Sequence, residues 1–121
     1  MIFRRYLTGA TTVWISDEAR REVDRLCTER LYLRDLAKLQ HYAAAGLDKA
    51  RQNGLLRKEG KGVFAFGGES RLRFVGFYDC FPGSFLLCDA FIKPGQSRGS
   101  INTNRVEKVA AIKETGLWRK E

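Results

Sequence analysis

The stretch from Leu72 to Lys93 constrains the fold most: two apolar runs, each long enough to cross a small sheet, flank Phe81-Pro82-Gly83-Ser84. Proline presets φ and glycine reaches the conformations that a reversal needs, so these four residues suit a turn. Their length and bounding turn signals argue for strands over helix, and the segment predicts a β-hairpin. Its charges are unusual. Arg71 and Arg73 enter the first strand, Lys93 leaves the second, and Asp79 and Asp89 lie between. Burying an unpaired cation in a central strand is costly, so one face of the hairpin is expected to meet an anion. Pairing about the turn sets positions summing to about 165 or 166 opposite each other; the register at 166 places Arg73 across from Lys93, and a one-residue slip sends them to different faces.

The rest of the chain supplies what this hairpin packs against. Residues Met1 to Thr12 read as an edge strand or a loose arm, and Thr12-Val13-Trp14-Ile15 as a strand rich in β-branched and aromatic residues. Ser16 stands as a helix N-cap with Asp17 and Glu18 in the first turn. Ala19, Val23, Leu26, Cys27 and Leu31 then form one apolar stripe, and Leu33, Leu36, Ala37, Gln40, Ala43 and Ala44 a second that ends near Gly46. The basic, glycine-containing stretch from Leu47 to Gly62 reads as a loop, Val63-Phe64-Ala65-Phe66 as a strand, and Gly67-Gly68 as a turn. A short helix over Asn102 to Lys113 turns Val106, Val109 and Ala110 inward, and the tail from Trp118 to Glu121 reads as loosely attached.

The expected fold is α+β, one domain over residues 1–121. Two N-terminal helices cover one face of a mostly antiparallel sheet of about four strands, a short C-terminal helix follows, and the other face stays open. A chain of 121 residues can bury a core without disulfides. Cys27, Cys80 and Cys88 form no Cys-x-x-Cys pair, and with one histidine they make a poor zinc set, so free thiols are expected and no metal or cofactor is. No apolar run approaches a membrane span, and the opening Met1-Ile2-Phe3-Arg4-Arg5-Tyr6 lacks the apolar core of a secretory signal, which makes the cytoplasm the default compartment. The 22 Lys and Arg against 14 Asp and Glu give a net charge of +8, which favours polyanionic partners.

Three segments carry a resemblance. Val13-Trp14-Ile15-Ser16-Asp17-Glu18-Ala19 resembles the opening of RelE/HigB-type toxins of the RelE/ParE superfamily. Leu72-Arg73-Phe74-Val75-Gly76-Phe77-Tyr78 is similar to that family's arginine-bearing central strand, and Phe85-Leu86-Leu87-Cys88-Asp89-Ala90-Phe91-Ile92-Lys93 to its next strand. The resemblance spans Thr12 to Lys113. It implies a RelE-like fold, endoribonuclease activity on messenger RNA at the ribosome without a metal, and a co-expressed protein antitoxin. In place of the family's usual second lysine and Thr-Gln continuation the chain has Pro94-Gly95-Gln96-Ser97-Arg98, with Arg98 as a substitute charge, and it lacks the terminal tyrosine of some members.

Metal-free RNA cleavage requires a 2′-hydroxyl to attack the adjacent phosphate in line, a proton acceptor, a proton donor, and stabilisation of charge on the phosphoryl oxygens. Arginine suits the last role because its planar fork grips phosphate with two hydrogen bonds. Arg73 and Lys93 are the candidate catalytic pair, while Arg71, Lys58 and Lys61 (with Arg57 in the same basic run) and Arg98 are the candidate RNA contacts. For Arg73 and Lys93 the bland reading is a strand-end salt bridge. His41, the single histidine, is a candidate for proton transfer whose bland reading is a surface or helix-packing role, and Tyr78, Asp79 and Asp89 are alternative polar groups in the sheet whose bland reading is a core hydrogen bond. No general acid or base is assigned. An antitoxin segment of acidic or amphipathic character would cover the basic face, with Trp14, Tyr32 and Trp118 as apolar anchors. A gyrase-poisoning ParE-like toxin, a non-catalytic nucleic-acid-binding protein and a protein-interaction module are the alternatives.

Overall fold

The structure, a computed structural model, describes residues 1–68, 70–94 and 100–121, with residues 100–102 described by their backbone alone. Two strands, β1 (Ile2–Leu7) and β2 (Thr12–Ser16), precede the helices α1 (Asp17–Leu26) and α2 (Arg30–Ala45). A 3-10 turn (Leu47–Arg51) leads into the meander β3 (Leu56–Gly60), β4 (Val63–Phe66), β5 (Leu72–Cys80) and β6 (Ser84–Ile92), followed by α3 (Ser100–Thr115) and the two-residue β7 (Arg119–Lys120). All seven strands join one sheet in the order β3-β4-β5-β6-β2-β1-β7. β2 runs parallel to β6 and β7 parallel to β1, and the remaining neighbours are antiparallel.

The expected hairpin forms, with Ser16 capping α1 by accepting from the Ala19 N–H at 3.2 Å. The expectation of two N-terminal helices on a mostly antiparallel sheet of about four strands is overturned by this seven-stranded mixed sheet, in which two strands precede the helices. Three segments account for the difference. Of the two readings of Met1 to Thr12, the strand holds over Ile2–Leu7 and the loose arm does not. The basic stretch contains β3, which buries Leu56, exposes Arg57 to Gly60 and is a charged edge strand, a form that discourages pairing with other chains. The tail adds β7, and its Trp118 packs edge-on against Phe3 at 6.2 Å and Phe77 at 5.7 Å instead of hanging loose.

The open sheet face is the second correction. On one side the helices α1 and α2 bury Val13, Ile15, Phe66, Leu72, Phe74 and Phe85. On the other, Val109 and Ala110 of α3 close over Val63, Val75, Phe77 and Phe91. Strands β5 and β6 are apolar on both faces, and such strands need cover on both. Gly76 lies where the two strands come closest: a Cβ there would stand 2.0 Å from the Leu86 carbonyl oxygen, so only glycine fits the pairing.

Helix α2 is rotated from its expected face. Leu33, like Leu31 just before it, is exposed, whereas Asp35, Leu39 and Ala43 are buried. A buried carboxylate breaks the apolar periodicity on which the expectation rested, and its partner is a serine outside the helix.

Candidate nucleic-acid interface

The hairpin register decides which charges meet. Arg73 pairs with Phe91 and Leu72 with Ile92, so the pairing is two residues short of the register that would set Arg73 directly opposite Lys93. Parity is nevertheless preserved. Lys93 lies two positions beyond Phe91, on the same side of the sheet as Arg73, and its backbone N–H donates to the Arg71 carbonyl at 2.7 Å. Arg57 of β3 stands opposite Ala65 of β4, and Ala65 opposite Val75 of β5, which carries Arg57 to that side as well. Arg57, Arg73 and Lys93 thus line one cleft of ≈ 350 Å³ over an apolar floor that includes Val75, Phe91 and Val106. Glu59 is its one carboxylate among the described residues.

Arg73 is half-buried and tethered. Its Nη1 donates to the Ser70 carbonyl at 2.8 Å and to the Leu72 carbonyl at 2.9 Å, and it has no ion pair among the described residues, in place of the strand-end salt bridge. Both Nη1 protons are thereby taken. The edge formed by Nε and Nη2 has no partner among the described residues, and that edge offers the two parallel N–H groups of a bidentate phosphate contact. Gly67 gives the side chain its room, since a Cβ there would lie 2.5 Å from Arg73 Cδ. Burial lowers the Arg73 pKa, the neighbouring Arg57 lowers it further, and Asp35 and Glu59 act in the opposite direction. An arginine keeps its proton through such a shift, so the result is a cation with reduced hydration and an unmet demand for an anion.

The other expected contacts are dispersed. Lys58 pairs with Phe64 and so lies on the opposite side of the sheet from Arg57. Lys61 sits in the β3–β4 turn at φ 55°, in a neighbouring hollow with Thr103 and Glu107. Arg71 is exposed before β5 and does not line the cleft. Arg98 lies outside the described residues. The sequence reading placed Arg57 only within a basic run and gave Glu59 no role of its own; the missing signal was secondary structure, because pairing of residues 56–60 with β4 brings Arg57 to the cleft that Glu59 also lines.

The remaining polar candidates serve the fold. His41 is exposed on α2 and touches Tyr42 edge-on at 5.3 Å. Asp89 accepts from Arg105 at 3.0 and 3.1 Å, and Asp79 from Lys120 at 2.8 Å. The Tyr78 ring packs edge-on against Phe64, Phe81 and Phe85, its hydroxyl is buried without a partner among the described residues, and burial pushes its pKa up to about 12. A tyrosine whose pKa is raised on folding contributes stability fully below its unfolded value near 10 and loses it as pH climbs to about 12. Tyr78→Phe is therefore expected to flatten the alkaline limb of a stability-versus-pH curve measured by urea unfolding. At neutral pH it should be neutral or stabilising by about 1 kcal/mol, because it removes an unsatisfied buried hydroxyl. A steeper alkaline loss in the variant would contradict this.

Among the described residues no three His, Cys, Asp or Glu side chains gather as a metal set, and no helix is long and apolar enough to cross a membrane. Cys27, Cys80 and Cys88 are free thiols, and burial pushes Cys27 up to about 11. Compared with known proteins, the chain matches no family model, no curated protein and no solved structure.

Proposed function

We propose that the chain is a RelE/HigB-like toxin that cleaves single-stranded RNA in the cytoplasm, with the Arg57–Arg73–Lys93 cleft as the phosphate site. One observation carries the reading: three cations converge on a single cleft, and one of them has a guanidinium edge with no partner among the described residues. A phosphodiester supplies what they lack. Charge-assisted bidentate contacts are about twice as strong as neutral ones, and three cations in a half-dry cleft hold a phosphate better than the same charges spread over a surface.

The chemistry follows from the lining. Arg73 and Lys93 bind the non-bridging oxygens and stabilise the charge that builds as the 2′-oxygen attacks phosphorus. Glu59, the carboxylate of the lining among the described residues, is the group that accepts the 2′-hydroxyl proton. The bond to the 5′-oxygen breaks as that oxygen takes a proton from solvent water, which leaves a 2′,3′-cyclic phosphate and a 5′-hydroxyl. Messenger RNA at the ribosome is the proposed substrate, and a protein antitoxin that covers the basic face is the proposed partner; the resemblance of three segments to the toxin family supports both.

The test is induction in bacteria combined with cleavage of a single-stranded RNA by the purified protein in the presence of a chelator. Growth arrest with transcripts ending in cyclic phosphate is expected. Tight, salt-sensitive RNA binding without cleavage would leave a nucleic-acid-binding module, DNA damage would point to gyrase, and neither growth arrest nor RNA binding would end the reading.

A further inference from the structure

Helix α2 lies across the sheet from the cleft, yet its one buried carboxylate is wired to Arg73. Asp35 is 3 % exposed and Ser70 is 7 % exposed. The Ser70 hydroxyl donates to Asp35 Oδ2 and accepts from the Leu72 backbone N–H at 3.0 Å. The backbone carbonyls of these same two residues, Ser70 and Leu72, receive the Arg73 Nη1 protons. The connection before β5 is also pressed onto α2: a Cβ on Gly68 would stand 3.5 Å from Lys38 Nζ and 3.6 Å from Asp35 Oδ1.

A carboxylate at this depth is costly to bury, and packing alone would be served by the leucine or alanine found at the other buried positions of α2. Retaining aspartate fits a need to fix the Ser70 hydroxyl in one orientation. That in turn fixes two carbonyls, and the carbonyls fix one edge of a guanidinium. Preorganised donors bind and stabilise charge more strongly than mobile ones because no ordering remains to be done when the anion arrives.

We propose that Asp35 and Ser70 are positioning residues for Arg73: through the Ser70 hydroxyl, α2 holds the two carbonyls that pin Nη1 and so keeps the Nε–Nη2 edge turned to an anion in the cleft. Neither residue touches that anion. The inference rests on the reading of the cleft as an RNA site, and the test separates the two.

The whole chain, labelled with ¹⁵N, is followed by its arginine side-chain NMR signals. Its affinity for a single-stranded 2′-O-methyl oligonucleotide, which cannot be cleaved, is measured over a range of salt. In the native protein the Arg73 Nη signals are expected to be separate, because two hydrogen bonds hinder rotation. Ser70→Ala should merge them and weaken the oligonucleotide about five- to tenfold, with the slope of log K against log salt unchanged because the number of cations is unchanged. Asp35→Ala should behave likewise if it folds. Asp35→Asn retains an acceptor for the Ser70 hydroxyl and should restore the native signals, a rescue that general loosening of the core would not give. Separate, native-like Arg73 signals in folded Ser70→Ala overturn the positioning role. Merged signals with unchanged affinity uphold the tether and count against RNA as the ligand of the cleft.

Discussion

Replacing Arg73 by alanine is expected to lower the rate of RNA cleavage by about 10²- to 10³-fold, the usual consequence of deleting one preorganised donor to a developing negative charge. The fold should survive. Arg73 lies at a solvent-reached cleft, so water can take over its bonds to the Ser70 and Leu72 carbonyls, and the melting temperature should move by only a few degrees. Arg73→Lys separates charge from shape. It keeps the cation but loses both the fork and the tether, and an intermediate loss of roughly tenfold is expected. Cleavage of a single-stranded RNA and growth after induction are the two readouts, with a thermal melt as the control. If Arg73→Ala remained fully toxic and fully active on RNA, the assignment of the site would be wrong.

Deleting Trp118 to Glu121 should destabilise the protein by about 4 kcal/mol and lower Tm by roughly 10–20 °C, a large effect for four residues. Trp118 contributes most, since it fills the space between Phe3 and Phe77 on the α3 side of the sheet. Removal of β7 also uncovers β1, whose backbone pairs with Arg119 and Lys120. Lys120 adds a third contribution: its ammonium lies 2.8 Å from Asp79 and 5.2 Å from the Trp14 ring centroid, and Asp79, with a side chain only 8 % exposed, would be left as a buried carboxylate without its partner. Urea unfolding of the truncated and full chains decides it. Equal midpoints would mean that the tail is as loosely attached as its sequence suggests.

How far the sequence could be read depended on the range of the interactions. The hairpin, the Ser16 cap and the glycine end of α2 were legible because each is specified within a few residues: a proline and glycine turn, a serine before two acids, a glycine at φ 118°. The edge strand β3 was hidden because Arg57, Lys58 and Glu59 carry the composition of a loop, and only pairing with β4 makes them a strand. β7 is two residues long and exists only because β1 is there to receive it, so no local pattern could announce it. The site divided in the same way. Whether Arg73 and Lys93 share a side of the sheet was open between two registers, and the irregularities between Val75 and Gly76 and between Tyr78 and Cys80, which no residue type predicted, decide it. Asp35 was overlooked because a charged residue in a helix pattern reads as solvent-facing until the distant Ser70 is seen to meet it.

The parallel contact between β2 and β6 joins residues about 70 positions apart. Its two strands therefore leave the ribosome at very different times. β2 and the helix pair emerge early, with their apolar side unmatched, and must wait until β6 has been synthesised before the centre of the sheet can close. Pairing over such a span makes folding slow relative to a helical domain of the same size and leaves the early segment open to chaperones and proteases in the interval. Arg57, Arg73 and Lys93, by contrast, all come from the β3–β6 meander and its immediate end, where each closure is short. The cationic cleft is thus encoded in one continuous later piece of the chain, and the support beneath it is recruited from an earlier one.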